Sequence, residues 1–170
     1  MTFWGQSDGW LRLCSVSFKI GAVKKKVLFI CVQNSARSQI AAALLNEMCG
    51  DYFEAQSAGL EPGVLNPLGV EALQQRGIDI SRKKTQSVFD VWKSAQHIFA
   101  YVITVCSESE AQRCPIFPGV TTRLHWSFAH PAKFTGTHAE KIAKTGELLE
   151  EIRAKIEGFC DEHCELDLQT

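Results

Sequence analysis

Cys31, Val32, Gln33, Asn34, Ser35, Ala36, Arg37 and Ser38 follow one another in the chain, with a thiol at the start and a guanidinium six residues on. A cysteine and an arginine at this distance are a weak signal by themselves; their setting is what gives the pair meaning. The segment begins where an apolar run ends and where a helical pattern opens. Backbone amides of such a loop converge on one concavity, and a helix N-terminus adds positive potential. That nest, formed by Val32 to Ser38, suits a tetrahedral oxyanion, and Arg37 can close a two-pronged clamp on it. The same surroundings favour the thiolate, which is the nucleophilic form. Ser38 is expected to steady it, with Cys31 attacking a bound phosphate or arsenate in line.

Other thiols invite a second chemistry. The chain has seven cysteines, an odd number. In a reducing compartment they read as thiols and not as a disulfide framework. Cys106 ends another apolar run, and Cys114 comes after the polar stretch SESEAQR. Cys49 falls on a helix and reads as packing; Cys14 lies near the N-terminus. Cys160, His163 and Cys164 share one helix face, which makes a thiolate–imidazole metal site conceivable. A frayed helix end is the expected reading, and no metal site is assigned.

The elements that must position these groups can be read from the pattern. Val27–Cys31 is a short β-branched and aromatic run, as in a strand buried on both faces. Gln39–Gly50 has helical spacing. Tyr52–Ala58 reads as a strand. Pro67–Arg76 reads as a helix, with Asn66 as its N-cap and Gly77 closing it. Val88–Ser94 is a short helix, Ile98–Val105 a second central strand, Ser107–Arg113 a loop or short helix, and Thr121–Trp126 a last strand. His138–Phe159 is a long amphipathic helix. Strands alternating with helices predict an α/β fold, a mostly parallel sheet covered on both faces. Sites in such sheets lie beyond the carboxyl ends of the strands, where Cys31 and Cys106 both stand.

The composition agrees with one globular domain. The chain has 170 residues, 45% hydrophobic and 22% charged, with a net charge of -1. These values exclude a disordered chain, a collagen and a coiled coil. No global positive field argues for nucleic acid, so an anion must be held locally. No apolar run reaches the ~18 residues of a membrane helix. Met1 to Gly9 lacks a basic start, and Arg12 and Lys19 interrupt the next stretch, so no signal peptide and a cytoplasmic address are expected. Residues 1–23 read as an N-terminal extension, 24–159 as the domain and 160–170 as a C-terminal tail.

From Lys24 to Phe159 the sequence resembles the low-molecular-weight phosphatase family, and within it most of all the thioredoxin-coupled arsenate reductases. The stretches that carry the likeness are VLFICVQNSARSQIAAALL, QSAGLEP, LNPLGVEALQQRGIDIS, VITVC, CPIFPG and HWSFAHPAK. The resemblance implies a single-domain three-layer sandwich around a four-stranded, mostly parallel sheet. It implies that Cys31 is the nucleophile and Arg37 the oxyanion clamp, with Asn34 and Ser38 stiffening the loop. It also implies a relay. Cys31 forms an arseno-adduct, Cys106 attacks Cys31 and releases arsenite, Cys114 attacks Cys106, and thioredoxin reduces the resulting disulfide. No bound cofactor is implied; thioredoxin is an external donor.

The sequence departs from the family pattern at three positions. His130, before Pro131, stands where the family has the aspartate that acts as general acid and base. An imidazole can transfer protons, but beside an oxyanion it is expected to stay cationic. Ala42 replaces a glutamate that in many arsenate reductases helps to hold potassium. Ala36 replaces a cysteine common in relatives. The alternative function is a phosphatase for phosphotyrosine or small esters, which needs Cys31 and Arg37 but no cysteine pair. A third reading is an anion-binding or thiol-sensing protein that has lost its acid.

Overall fold

The computed structural model describes residues 23–94, 99–112 and 121–164. The elements run β1 (Lys25–Cys31), α1 (Arg37–Cys49), β2 (Phe53–Gly59), α2 (Pro67–Gln74), α3 (Val88–Lys93), β3 (Tyr101–Thr104), α4 (Glu108–Ala111), β4 (Thr122–His125) and α5 (His138–Cys164). A single turn of 3-10 helix, Pro131–Lys133, precedes α5. The strands form one sheet in the order β2-β1-β3-β4. All three pairings are parallel.

β1 is central, and its apolar run is buried on both faces, as the unbroken Val27–Cys31 pattern requires. Val27, Phe29 and Cys31 face the larger core, which contains Ile40 and Leu44 of α1 and Leu149, Ile152 and Ile156 of α5. Leu28 and Ile30 face the opposite way, against Val88 and Val91 of α3. The protein is therefore a three-layer α/β sandwich, as expected.

The shorter strands have ragged ends relative to the sequence pattern. Of the expected strand Ile98–Val105, Tyr101–Thr104 is the paired strand, and Ile98 lies outside the described residues. The helix after the loop begins at Arg37 and not at Gln39. Asn66 caps α2 as expected, accepting from the Leu68 amide at 2.9 Å. The helix stops at Gln74, and Gly77 comes next but two with φ 81.

The carboxyl end of the chain needs correction. The long helix does not stop at Phe159 but continues through Cys164. Cys160 is fully buried and forms a disulfide with Cys49 at the end of α1. Cys49 is thus a bridging residue, and residues 160–164 belong to the domain and not to a tail. The bridge takes Cys160 out of the conceivable metal site. His163 packs instead on Tyr101 and Phe159. Cys14, residues 1–22 of the extension and Cys114 lie outside the described residues.

Candidate active site

The site grows from the carboxyl end of β1. Cys31 pairs with Gly59 in the register of β1 and β2. From there the backbone carbonyls turn toward the segment after β2. The carbonyls of Val32, Gln33 and Ser35 accept from the amides of Glu61 (2.9 Å), Gly63 (2.9 Å) and Asn66 (2.8 Å). Among the described residues no side chain caps α1, and its first turn holds no acidic residue. The amide donors at the head of α1 are therefore left for an anion.

Asn34 locks this shape. Its φ is 53, the left-handed region in which asparagine is among the tolerated residues. Its Oδ1 accepts from Gln39 Nε2 at 3.1 Å and from the Gln86 amide at 3.0 Å. Its Nδ2 donates to Ser38 Oγ at 2.9 Å. That oxygen is already an acceptor, so its own hydrogen is available for Cys31 Sγ, 3.0 Å away. The Asn34 amide donates to the same sulfur at 3.1 Å. Two donors thus aim at Cys31, an arrangement that suits a sulfur anion.

Gly59 sets the tightness of the fit. A Cβ there would lie 2.7 Å from the Asn34 nitrogen and 2.9 Å from both the Gln33 carbonyl carbon and the Val32 oxygen. Those atoms are loop backbone and have no side-chain freedom with which to move aside.

Arg37 is 2% exposed, so its guanidinium is a buried charge and must be paired. One nitrogen donates to the Phe128 carbonyl at 3.2 Å, and the other to Glu110 Oε2 at 3.3 Å. The thiol, its two donors and the arginine thus stand at the head of one helix.

A family model described as low molecular weight phosphotyrosine protein phosphatase matches residues 26–166. The chain belongs to this family. It is 38% identical over 138 residues to an arsenate reductase of Bacillus licheniformis, covering 81% of this chain and 96% of that protein. An arsenate reductase of Bacillus subtilis is 35% identical over the same shares of the two chains. Among solved structures, an arsenate reductase from Archaeoglobus fulgidus superposes with a TM-score of 0.65 at 28% identity, over 79% of this chain and 98% of that one. A thioredoxin-dependent arsenate reductase of Corynebacterium glutamicum gives 0.56 at 32% identity, over 81% of this chain and 64% of that one.

In this member of the phosphatase family, the remaining expected residues fall around the loop to different degrees. Cys106 is fully buried just past the end of β3. The Val105 amide donates to the Ile30 carbonyl at 2.8 Å, which continues the β1–β3 ladder beyond Thr104. Cys106 therefore comes directly after the residue beside Cys31 on the neighbouring strand. Cys114 is outside the described residues.

His130 stands in the loop after β4, where its Nδ1 accepts from the Ala132 amide at 3.1 Å. Burial, then the Arg37 charge, hold its pKa below the usual histidine value, with Glu110 pulling the other way. With no anion in the loop, partial burial and the Arg37 charge both disfavour the cation, and the Ala132 contact uses Nδ1 as an acceptor.

Sequence reasoning missed three supports. Glu110 was not singled out at all, although SESEAQR contains its carboxylate. Burial raises its pKa, but the Ser107 hydroxyl and amide and the Arg37 guanidinium outweigh this and hold the carboxyl below its usual range. Gln39 and Gln86 carry the Asn34 lock; a polar residue two positions into a helix was the only signal for the first. Behind the loop lies a cavity of about 280 Å³ lined by Gln39, Ala42, Ser57, Lys83, Lys84 and Gln86 among others. The lining places lysines, and no carboxylate, beside Ala42.

Proposed function

We propose that this protein is an arsenate reductase that works through a covalent Cys31 adduct and a Cys31, Cys106 and Cys114 relay. The reading rests above all on a sulfur held by two donors, at 3.0 and 3.1 Å, at the uncapped head of α1. The arsenate reductases among its relatives favour arsenate over a phosphate ester.

Amides from Val32 to Ser38 and the Arg37 fork bind the oxyanion. The Cys31 thiolate attacks arsenic, and a hydroxide leaves as water on taking a proton from His130, whose cation the bound anion's negative charge favours. The Cys106 thiolate then attacks the Cys31 sulfur. The S–As bond breaks, its electron pair stays on arsenic, and arsenite departs. Cys114 attacks Cys106 and returns Cys31 as a thiolate. Thioredoxin, a dithiol donor, reduces the Cys106–Cys114 disulfide. Among the described residues no helix is long and apolar enough to cross a membrane.

Arsenate-dependent NADPH oxidation with thioredoxin and its reductase tests this for the wild type and for Cys31→Ser, Cys106→Ser and Cys114→Ser. Turnover that each substitution reduces to background is expected. Hydrolysis of an aryl phosphate that needs Cys31 alone, without arsenate turnover, would instead identify a phosphatase. If neither activity is found, the protein has an anion-binding or thiol-sensing role.

A further inference from the structure

One oxygen atom ties the anion clamp to the segment after Cys106. Glu110 Oε2 accepts from Arg37 at 3.3 Å. The same oxygen accepts from the Ser107 hydroxyl at 2.9 Å and from the Ser107 amide at 3.3 Å. The contacts with Ser107 form the capping box that starts α4. α4 has only four residues. A helix this short has almost no propagation to offset its nucleation, so it depends on its cap and on tertiary contacts.

Glu110 and an oxyanion want the same guanidinium. Arg37 gives one hydrogen of one terminal nitrogen to the Phe128 carbonyl and one of the other to Glu110, so an anion that turns the guanidinium toward itself for a two-pronged grip draws it away from Glu110. An arsenate or phosphate carrying one to two negative charges would also face the Glu110 carboxylate across the guanidinium. The anion makes its own contacts with the loop amides, whereas Glu110 is partly exposed and can be rehydrated.

We infer that Glu110 is a positioning residue that holds the Cys106 segment closed until an oxyanion takes Arg37 from it. Anion binding displaces the carboxylate, the capping box opens at Ser107, and the chain after β3 loosens. Cys106, fully buried in the closed arrangement, then becomes able to reach the Cys31 adduct. The relay is thereby armed only when substrate is present, which keeps its thiols from oxidation in an empty site. The coupling is reciprocal: whatever factor the anion gains in loosening the segment, a loosened segment returns in anion affinity.

This inference rests on the reading that the Cys31 loop binds an oxyanion, but not on arsenate turnover. Its test uses inorganic phosphate with the full-length reduced protein. Calorimetry first establishes phosphate binding; absence of binding would overturn the oxyanion reading itself. Alkylation of Cys106 by iodoacetamide is then monitored by peptide mapping, with and without saturating phosphate. In the wild type, phosphate is expected to speed Cys106 labelling severalfold while protecting Cys31. Glu110→Gln should label quickly without phosphate, respond little to it, and bind phosphate about fivefold more tightly, as expected for loss of one partly exposed ion pair. Ser107→Ala, which keeps the Arg37 partner but weakens the cap, should also label quickly and, by the same reciprocity, bind phosphate more tightly than the wild type, though by less than Glu110→Gln. Equal wild-type labelling with and without phosphate, or a Glu110→Gln protein as responsive as the wild type, would overturn the inference.

Discussion

The two ends of α1 carry two cysteines with opposite fates. At the head, Cys31 has hydroxyl and amide donors on its sulfur, and a buried arginine stands six residues later. At the tail, Cys49 is surrounded by apolar residues and is joined to Cys160 of α5. The helix has 13 residues, so the two sites stand about 20 Å apart along its axis, too far for direct exchange. The difference teaches that burial alone does not decide what a thiol does, since both sulfurs are buried. One sulfur stands among polar donors; the other meets a second thiol across an apolar contact and becomes a brace.

That contrast breaks most sharply at Arg37. Arg37→Ala should lower kcat/KM for arsenate by about a hundredfold to a thousandfold, the scale of losing a preorganised anion donor. Chemical denaturation should show a far smaller change, because the loop shape is carried by Asn34 and Ser38. Comparable losses in both would mean that the head of α1 is as structural as its tail.

The opposite pattern is expected at the other end. The double variant Cys49→Ala/Cys160→Ala loses a bridge with a sequence separation of 111. Chain-entropy reasoning puts the cost at about 5 kcal/mol, read as a lower denaturation midpoint without reductant. Turnover measured under conditions where the variant stays folded should remain within about twofold. A folded variant without turnover would break the comparison, because it would tie the brace to the chemistry.

His130 sharpens the comparison by the smallest effect. Its NMR titration midpoint should lie below the ordinary value of about 6.5, since burial and Arg37 both disfavour the cation. Arg37→Ala should move the midpoint up, and Glu110→Gln should move it down, because that carboxylate favours the cation. The folded state binds this proton less readily than the unfolded chain, so the contribution to stability is present above about pH 6.5 and is lost as pH falls through the folded midpoint. The wild type should thus lose more stability than His130→Ala between neutral and mildly acidic pH.

Much of the candidate site at the head of α1 was legible because it is local. A buried strand, a small polar loop and a helix succeed one another within residues 25–49, and their order alone brings Cys31, Arg37 and Ser38 to the head of one helix. Cys106 was placed by the same rule at the end of the adjacent strand. The brace was not legible, because pairing of Cys49 with Cys160 depends on how α5 returns across α1 and not on any spacing. Glu110 was hidden for a related reason. Its partner, Arg37, is 73 residues away in sequence and meets it only when the sheet closes. His130 falls in the loop expected of it, but the influence of Arg37 and partial burial on its proton cannot be seen in a string of residues.

Gly59 gives this design a narrow inheritance. The missing side chain at the end of β2 is a mould for the loop, and the loop backbone fills the space that a Cβ would take. Even alanine would push against Asn34, the residue on which the sulfur's donors depend. Cys31 and the donors on its sulfur are therefore hostage to a position that has no chemistry of its own, and variation can enter there only if the whole loop is rebuilt with it.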